Sequence, residues 1–261
     1  MAESEYFVRF SLRRRIEHAA LIVTFTTLVV TGLTQKFYTA GVAEWLILHL
    51  GGIETVRIIH RIFAAIFTLS VLYHLVSVTY DVLVRHSRLT MIPTRKDFAD
   101  VLDYLKYTIG FRKEPPQYGR YNYRQTFEYW GMMFGSTIII VTGFVLAFPI
   151  AVTRFLPGQV VVASVVFHGW EATLALLTIL VWHVYEAFLK PGVFPGDFSI
   201  FTGKISKEEM LEEHGLEYAE IASEKLEPVP VEVVSEQIPP APPSEIEHSS
   251  RPEDQKLPPE N

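Results

Sequence analysis

The chain contains no cysteine among its 261 residues. This absence excludes disulfide bonds, cysteine-ligated iron–sulfur clusters and covalently attached c-type haem. Any redox centre held by the chain must therefore use other ligands. Nine histidines are available for that purpose, and five of them lie in or beside long apolar segments.

Charge is missing from long parts of the chain. No charged residue occurs in 18–35 or in 62–80. Because backbone groups in lipid must form their hydrogen bonds within their own segment, such stretches are expected to be helices. The sequence predicts an all-α integral membrane protein, a bundle of four transmembrane helices. Each predicted span reaches the ~20 residues that cross a bilayer, and the four cover about 18–38, 57–80, 127–150 and 161–188.

A signal-peptide cleavage pattern, Ala-x-Ala, is missing after the first apolar segment, although Arg13, Arg14 and Arg15 precede that segment. We therefore interpret 18–38 as a retained membrane span.

Lysine and arginine are distributed unevenly between the two sides of the predicted bundle. The N-terminal segment holds four arginines and the loop 81–124 holds nine basic residues, whereas the opposite side has chiefly Lys36, Arg57 and Arg154. The basic side of a membrane protein faces the cytoplasm. We predict a multi-pass protein of the cytoplasmic (inner) membrane, with both termini and the loop 81–124 in the cytoplasm.

The C-terminal part differs in composition from the rest. Nine of the sixteen prolines lie in 228–259 among many glutamates, so no core is expected there. A helix is expected over 204–220, and an amphipathic helix over 97–109 that either lies at the membrane interface or packs on a partner. The predicted divisions are a cytoplasmic N-terminal segment 1–17, a membrane domain 18–190, a cytoplasmic extension 191–227 and a disordered tail 228–261.

The fourth apolar segment carries one histidine near each end, His168 and His183. Fifteen residues separate the two by ~22 Å along a helix and by ~60° around it. On the second segment, His60 and His74 are fourteen residues apart, ~21 Å along the axis and ~40° around it. Together with His18 they form an outer layer, His60 with His168, and an inner layer, His183 with either His18 or His74.

Each layer offers two imidazoles from different helices at equal depth, which is the arrangement that ligates one haem b from both faces. Histidine within hydrocarbon is costly and therefore functional by default. We predict two b-type haems, with glycines such as Gly32 and Gly143 leaving room for a macrocycle. Candidate cations for the haem propionates are Arg57 and Arg61 at the outer layer, and Arg13, Arg14, Arg15 and Arg124 at the inner layer.

A metal or proton transporter is the alternative from another functional class, since membrane histidines can bind zinc or relay protons. It predicts carboxylates mixed with the histidines. The carboxylates expected deep in the helices are Glu171 and Glu186. A purified protein without the α-band of a reduced cytochrome would exclude the haem hypothesis.

Several short motifs follow one another in a recognisable order. They are Arg15-Ile16-Glu17-His18, Thr31-Gly32, Arg57-Ile58-Ile59-His60, Gly119-Arg120-Tyr121-Asn122 with Gln125, Val141-Thr142-Gly143, His168 with His183, and Gly203-Lys204-Ile205-Ser206 with His214. Over about residues 7–220 the sequence resembles the cytochrome b (gamma) subunit of membrane-bound formate dehydrogenases. It resembles more loosely the dihaem cytochrome b subunits of nickel–iron hydrogenases.

This resemblance implies that His60 and His168 hold the outer haem, and that His18 and His183 hold the inner haem. In that family the histidines of the fourth helix are fourteen residues apart rather than fifteen. His74 departs from the pattern, because an apolar residue is expected there, and it is the alternative inner ligand.

The resemblance also implies a quinone site beside the inner haem. Asn122 and Gln125 match its motif, while Arg124 stands where a small residue is usual. Caps of the third helix are the alternative role for the two amides.

The implied function is electron transfer by a membrane-anchoring subunit. Electrons would pass from an iron–sulfur (ferredoxin-like) partner subunit through the outer and inner haems to menaquinone or ubiquinone. Substrate oxidation would take place on a separate catalytic subunit. Alternatives are the cytochrome b subunit of a hydrogenase or another quinone-linked oxidoreductase, and a b561-type cytochrome with a soluble donor; no nucleic-acid partner is expected.

Overall fold

Four long helices make up most of residues 5–226, the part of the chain that the computed structural model describes. Each is long and apolar enough to cross a membrane, so the four predicted spans are confirmed as helices. The first begins before its predicted start, because Ser11 caps the Arg14 amide and the helix includes the arginines ahead of His18. The helices are α1 (Leu12–Lys36), α2 (Gly41–His49), α3 (Ile53–Leu83), α4 (Arg95–Thr108), α5 (Tyr123–Ala147), α6 (Pro149–Val152), α7 (Gln159–Leu189), α8 (Ser199–Thr202), α9 (Lys207–Glu213) and α10 (Gly215–Leu226).

The four long helices pack as two antiparallel pairs. Helix α1 lies along α3 and α5 lies along α7, and the pairs meet where α1 contacts α7 and α3 contacts α5. The side chains buried at these contacts include small polar ones, among them Thr24, Thr31, Ser136 and Ser164. Large apolar side chains point outward instead, and only 11–17% of each apolar window is buried within the chain. Membrane helices pack in this way because the hydrophobic effect does not drive helices together in lipid. Small residues let the helix backbones approach closely and make van der Waals contacts instead.

The expectation of a purely α-helical protein is wrong in one place, and the fold is mostly helical. Strand β1 (Tyr6–Val8) pairs antiparallel with strand β2 (Lys204–Ser206), and Phe7 lies opposite Ile205. Strands of three residues are too short to show an alternating pattern in the sequence. The predicted helix 204–220 is likewise wrong at its start, and it is interrupted at His214 between α9 and α10.

A buried ion-pair network joins the N-terminus to the C-terminal helices. The Arg9 guanidinium donates to the Glu217 carboxylate at 2.6 Å, and Arg120 donates to the same carboxylate at 2.7 Å. His214 donates from Nδ1 to the Gly119 carbonyl at 2.9 Å. Burial lowers the pKa of Arg9 and of His214, and the Arg9 charge lowers the pKa of His214 further. We call β1, β2, α8–α10 and residues 118–121 the terminal cap.

The other short elements were predicted only in part. The helix expected over 97–109 is confirmed as α4, which begins with a capping box between Thr94 and Asp97. Its position at the membrane interface stays a prediction. Helices α2 and α6, which follow α1 and α5, were not anticipated. The divisions at residues 17 and 190 stay predictions, and the tail 228–261 lies outside the described residues.

Helix α7 changes its winding in its second half. It is α-helical over Gln159–Leu177 and π-helical over Thr178–His183 and Tyr185–Leu189. A π-helical turn closes each hydrogen-bonded ring with one residue more than an α-helical turn. The turn can therefore hold one extra residue without rotating the rest of the helix. The π-helical turn therefore brings His168 and His183, fifteen residues apart, closer to the same side of α7 than a continuous α-helix would.

Candidate paired-histidine sites

The outer pair is formed by His60 on α3 and His168 on α7. Their ring centroids are 6.3 Å apart, and the ring planes meet at 73°. Both residues lie on the predicted layer, and glycines of α1 and α5 stand beside them. A Cβ atom would be 3.3 Å from His60 Cε1 at Gly32 and 3.1 Å from His168 Cε1 at Gly143. Any larger side chain at these two positions would press on a histidine ring.

Hydrogen bonds fix the orientation of both outer rings. The Ile139 carbonyl, 3.1 Å from His168 Nδ1, can only accept, so Nδ1 carries the proton. Thr31 Oγ1 lies 2.8 Å from His60 Nδ1 and already donates its own proton to the Thr27 carbonyl, so it too accepts. Each ring is thereby held as the Nδ1–H tautomer, and each Nε2 keeps a free lone pair. That is the state in which histidine ligates a metal.

The inner pair is formed by His18 on α1 and His183 on α7. Their ring centroids are 6.2 Å apart, with 42° between the planes. His183 Nδ1 lies 2.7 Å from Glu128 Oε1 on α5, and the Glu128 side chain is largely buried. The carboxylate accepts the Nδ1 proton, so His183 Nε2 is left unprotonated. The His183 ring thus has a charged acceptor where the two outer rings have neutral ones.

The separation of both pairs matches two imidazoles on opposite sides of one metal ion. A metal-bound imidazole nitrogen is ~2.0–2.1 Å from the ion and ~1.1 Å from its ring centroid, which puts such centroids ~6.3 Å apart. Within residues 5–226 no cluster of three or more His, Asp or Glu side chains could hold a metal ion. Two ligands per site suit an ion whose remaining ligands come from a macrocycle, and the glycines beside the outer pair make room for its two imidazole rings.

His74 lies outside both pairs. Its Nδ1 is 2.9 Å from Glu17 Oε2, and its Nε2 is 3.2 Å from the Tyr129 hydroxyl. If Nδ1 donates to Glu17, Nε2 accepts from Tyr129, and both ring nitrogens are used by the protein. Arg14 also contacts the ring nitrogen at 3.2 Å. His74 therefore belongs to a polar cluster at the end of the bundle that carries the termini.

Asn122 and Gln125 form a reciprocal capping box at the start of α5. The backbone amide of Gln125 donates to Asn122 Oδ1 at 3.0 Å, and the backbone amide of Asn122 donates to Gln125 Oε1 at 3.1 Å. Arg124 is buried, lies 3.2 Å from Glu186 of α7 and covers the Tyr104 ring at 4.8 Å. These contacts give the amides the capping role, and their predicted role with quinone stays a prediction.

The cations proposed for the propionates have other partners or are exposed. Arg57 pairs with Glu54 at the surface, and Arg61 is exposed. The Arg13 and Arg14 side chains pair with Asp81 of α3, and Arg15 donates to the Phe201 carbonyl. A cation not considered from the sequence lies near the outer pair. Lys36 donates to the carbonyl of Gly169, the residue next to His168, at 2.8 Å.

A shallow, largely open cavity of about 350 Å³ lies next to Glu128, the residue that contacts His183. It lies between α5 and the π-helical turn of α7, and its wall is apolar except at Glu128 and Thr178. The carboxylate that holds His183 thus also lines the cavity. The lining residues are Phe127, Glu128, Leu177, Thr178, Val181 and Trp182.

Glu128 is the residue of this site that sequence reasoning missed. It is the second residue of the predicted span 127–150, where a charge is taken as a helix end. Its depth matches that of His183, which lies close to the end of the predicted fourth span. The equal depth of Glu128 and His183 is therefore the sequence feature that could have predicted their contact.

The chain is similar in sequence to membrane cytochromes b. The family described as prokaryotic cytochrome b561 matches residues 95–196, which contain α5 and α7. The cytochrome b556(Fdn) subunit of the nitrate-inducible formate dehydrogenase of Escherichia coli K12 is 26% identical over 221 residues, 85% of this chain and 94% of that subunit. The subunits from E. coli O157:H7 and Shigella flexneri give the same values. The resemblance to formate dehydrogenase cytochrome b subunits is confirmed. Four apolar helices and this similarity also support a multi-pass membrane protein.

Proposed function

We propose that the chain is the membrane-anchoring cytochrome b subunit of a formate dehydrogenase-like complex, and that it passes electrons from an iron–sulfur subunit to quinone. The observation that carries the proposal is the presence of two histidine pairs, called couples from here on. They are His60 with His168 and His18 with His183, and the ring centroids within each couple are 6.3 and 6.2 Å apart. The relatives' names, which describe a cytochrome b556 subunit of a formate dehydrogenase, supply the context.

In this proposal each couple holds one haem b, which supplies a one-electron centre. The protein fixes its own ligands beforehand: Thr31 and Ile139 keep the outer Nδ1 protons in place, and Glu128 keeps that of His183. The two sites are ~20 Å apart along α7 by helix geometry. Electrons would enter at the outer site and leave at the inner site.

Quinone reduction would take place beside the inner site, with protons from the cytoplasm. The cavity of about 350 Å³ next to His183 supports this part of the proposal, because it is apolar, open and carries a polar group at its wall. Orientation with both termini in the cytoplasm is part of the same proposal and rests on the basic residues.

The test is the haem content of the purified chain and of His168→Ala. We expect two haems per wild-type chain and one in the variant, because one couple is lost and the other is separate in space. A wild-type protein without a cytochrome α-band would refute the proposal, and unchanged stoichiometry in His168→Ala would refute the assignment of the outer couple.

A hydrogenase-type or b561-type cytochrome is the second candidate, favoured by the match of residues 95–196 to the prokaryotic cytochrome b561 family. It shares the haems and differs in the electron donor. Copurification of the chain from its native membrane separates the candidates: a formate dehydrogenase catalytic subunit and its iron–sulfur subunit should be recovered together. Recovery of a hydrogenase instead would favour the second candidate.

A further inference from the structure

His183 of the inner couple differs from both histidines of the outer couple in the group that accepts its Nδ1 proton. At the outer couple the acceptors are neutral, the Ile139 carbonyl at 3.1 Å and the Thr31 hydroxyl at 2.8 Å. At the inner couple the acceptor is the Glu128 carboxylate at 2.7 Å. The charged acceptor also makes the shortest of these three contacts.

We propose that Glu128 is a positioning residue that sets the reduction potential of the inner haem below the value that a neutral acceptor would give. This inference rests on the proposed function. An anionic acceptor increases the electron donation of an imidazole to its metal, and hydrogen bonding to an axial ligand is one of the means by which proteins tune haem. The oxidised centre carries more positive charge, so it gains most from a nearby carboxylate.

The setting of Glu128 strengthens this effect. Its side chain is only 14% exposed, and it lies on α5 among apolar neighbours such as Phe127 and Leu177. Charges interact more strongly in such surroundings than in water. A carboxylate at this depth is also costly without a partner. Among the described residues its hydrogen-bond partner is His183, so the carboxylate is directed at the proposed haem ligand.

The test is potentiometric titration of the holo complex carrying Glu128→Gln. Glutamine keeps the length and an accepting oxygen and removes the charge. We expect both haems to remain, with the inner reduction equilibrium shifted at least tenfold toward the reduced form, ~59 mV for one electron. The outer potential should not change. Titration of His168→Ala, which retains the inner couple, assigns the two potentials.

Glu171→Gln is the matched control, because it removes a carboxylate from the same bundle that lies against Gly135 and not against a histidine ring. An inner potential in Glu128→Gln that moves no more than in this control, with two haems present, overturns the inference and leaves the proposed function intact. Absence of haem from the wild-type chain overturns the proposed function itself.

If Glu128→Gln loses the inner haem, Glu128→Asp shows whether the site requires the charge of Glu128 or only its shape, because aspartate keeps the charge on a shorter side chain. Retention of the haem in the aspartate variant, with a low potential, supports the requirement for charge. Loss of the inner haem from both variants shows that Glu128 only shapes the site, and this outcome also overturns the inference.

Discussion

Replacing His18 and His74 separately by alanine distinguishes the two candidates for the fourth ligand. The geometry favours His18, whose ring faces His183 with centroids 6.2 Å apart. His74 instead uses its nitrogens to contact Glu17 and Tyr129, at 2.9 and 3.2 Å. We expect haem content to fall from two per chain to one in His18→Ala and to remain two in His74→Ala.

The stability of the His74 variant gives a second measure. Loss of the His74 imidazole removes one hydrogen bond from Glu17 and one from Tyr129. An unpaired buried polar group lowers the free energy of unfolding by about 1–3 kcal/mol. Glu17 keeps its pairing with Arg14 at 2.9 Å, so the cost should lie toward the lower end. His74→Ala should therefore melt at a lower temperature with an unchanged haem spectrum.

Electron paramagnetic resonance of both variants is the assay, because it resolves two bis-histidine centres that share one α-band. His18→Ala should retain only the outer signal. Loss of the inner signal in His74→Ala, together with its retention in His18→Ala, would refute the assignment. It would mean that the ring of His74 leaves Glu17 when the haem binds.

Three further predictions concern packing, helix winding and pH. Gly143→Val should lower haem content toward one per chain, because its Cβ would lie 3.1 Å from His168 Cε1, whereas Gly131→Val, which meets nothing within 4 Å, should not. Deleting Leu180 should keep the inner haem, because the π-helical turn can revert to an α-helical turn, and inserting one alanine after it should lose that haem. Because burial and Arg9 lower the pKa of His214, the terminal cap should lose stability as pH falls below about 6.5, where the unfolded chain takes up the proton first. The measurement is amide hydrogen exchange of α9 and α10 as a function of pH. In the control His214→Gln the exchange rates should lose this dependence on pH.

The helices and the outer histidine couple could be predicted because they depend on local rules. Hydropathy over ~20 residues identifies a span, and a rise of ~1.5 Å per residue places His60 level with His168. The choice between His18 and His74 could not be made in this way, since both lie at a similar depth. It depends on where Glu17 and Tyr129 point, which is a property of packing.

Long-range ion pairs explain most of the contacts that sequence reasoning missed. The terminal cap joins Arg9 to Glu217, two residues 208 positions apart, and no periodic pattern links them. The same holds for Arg124, which was expected to serve a propionate and instead pairs with Glu186 between aromatic rings. A cation near a helix end is equally suited to a ligand, a lipid headgroup or a carboxylate of another helix.

The two regions proposed for quinone differ in the contacts that binding would break. At the start of α5, Asn122 and Gln125 satisfy each other's backbone amides, and a ligand that captured either side chain would remove a cap worth ~1 kcal/mol. Arg124, which stands between them, is buried and pairs with Glu186 of α7. At the cavity beside His183, Glu128 already keeps one oxygen on the imidazole, and no cap has to be broken. We therefore predict that a quinone headgroup binds at the cavity, about one turn further along α5 than the motif suggests, and not at the capping box.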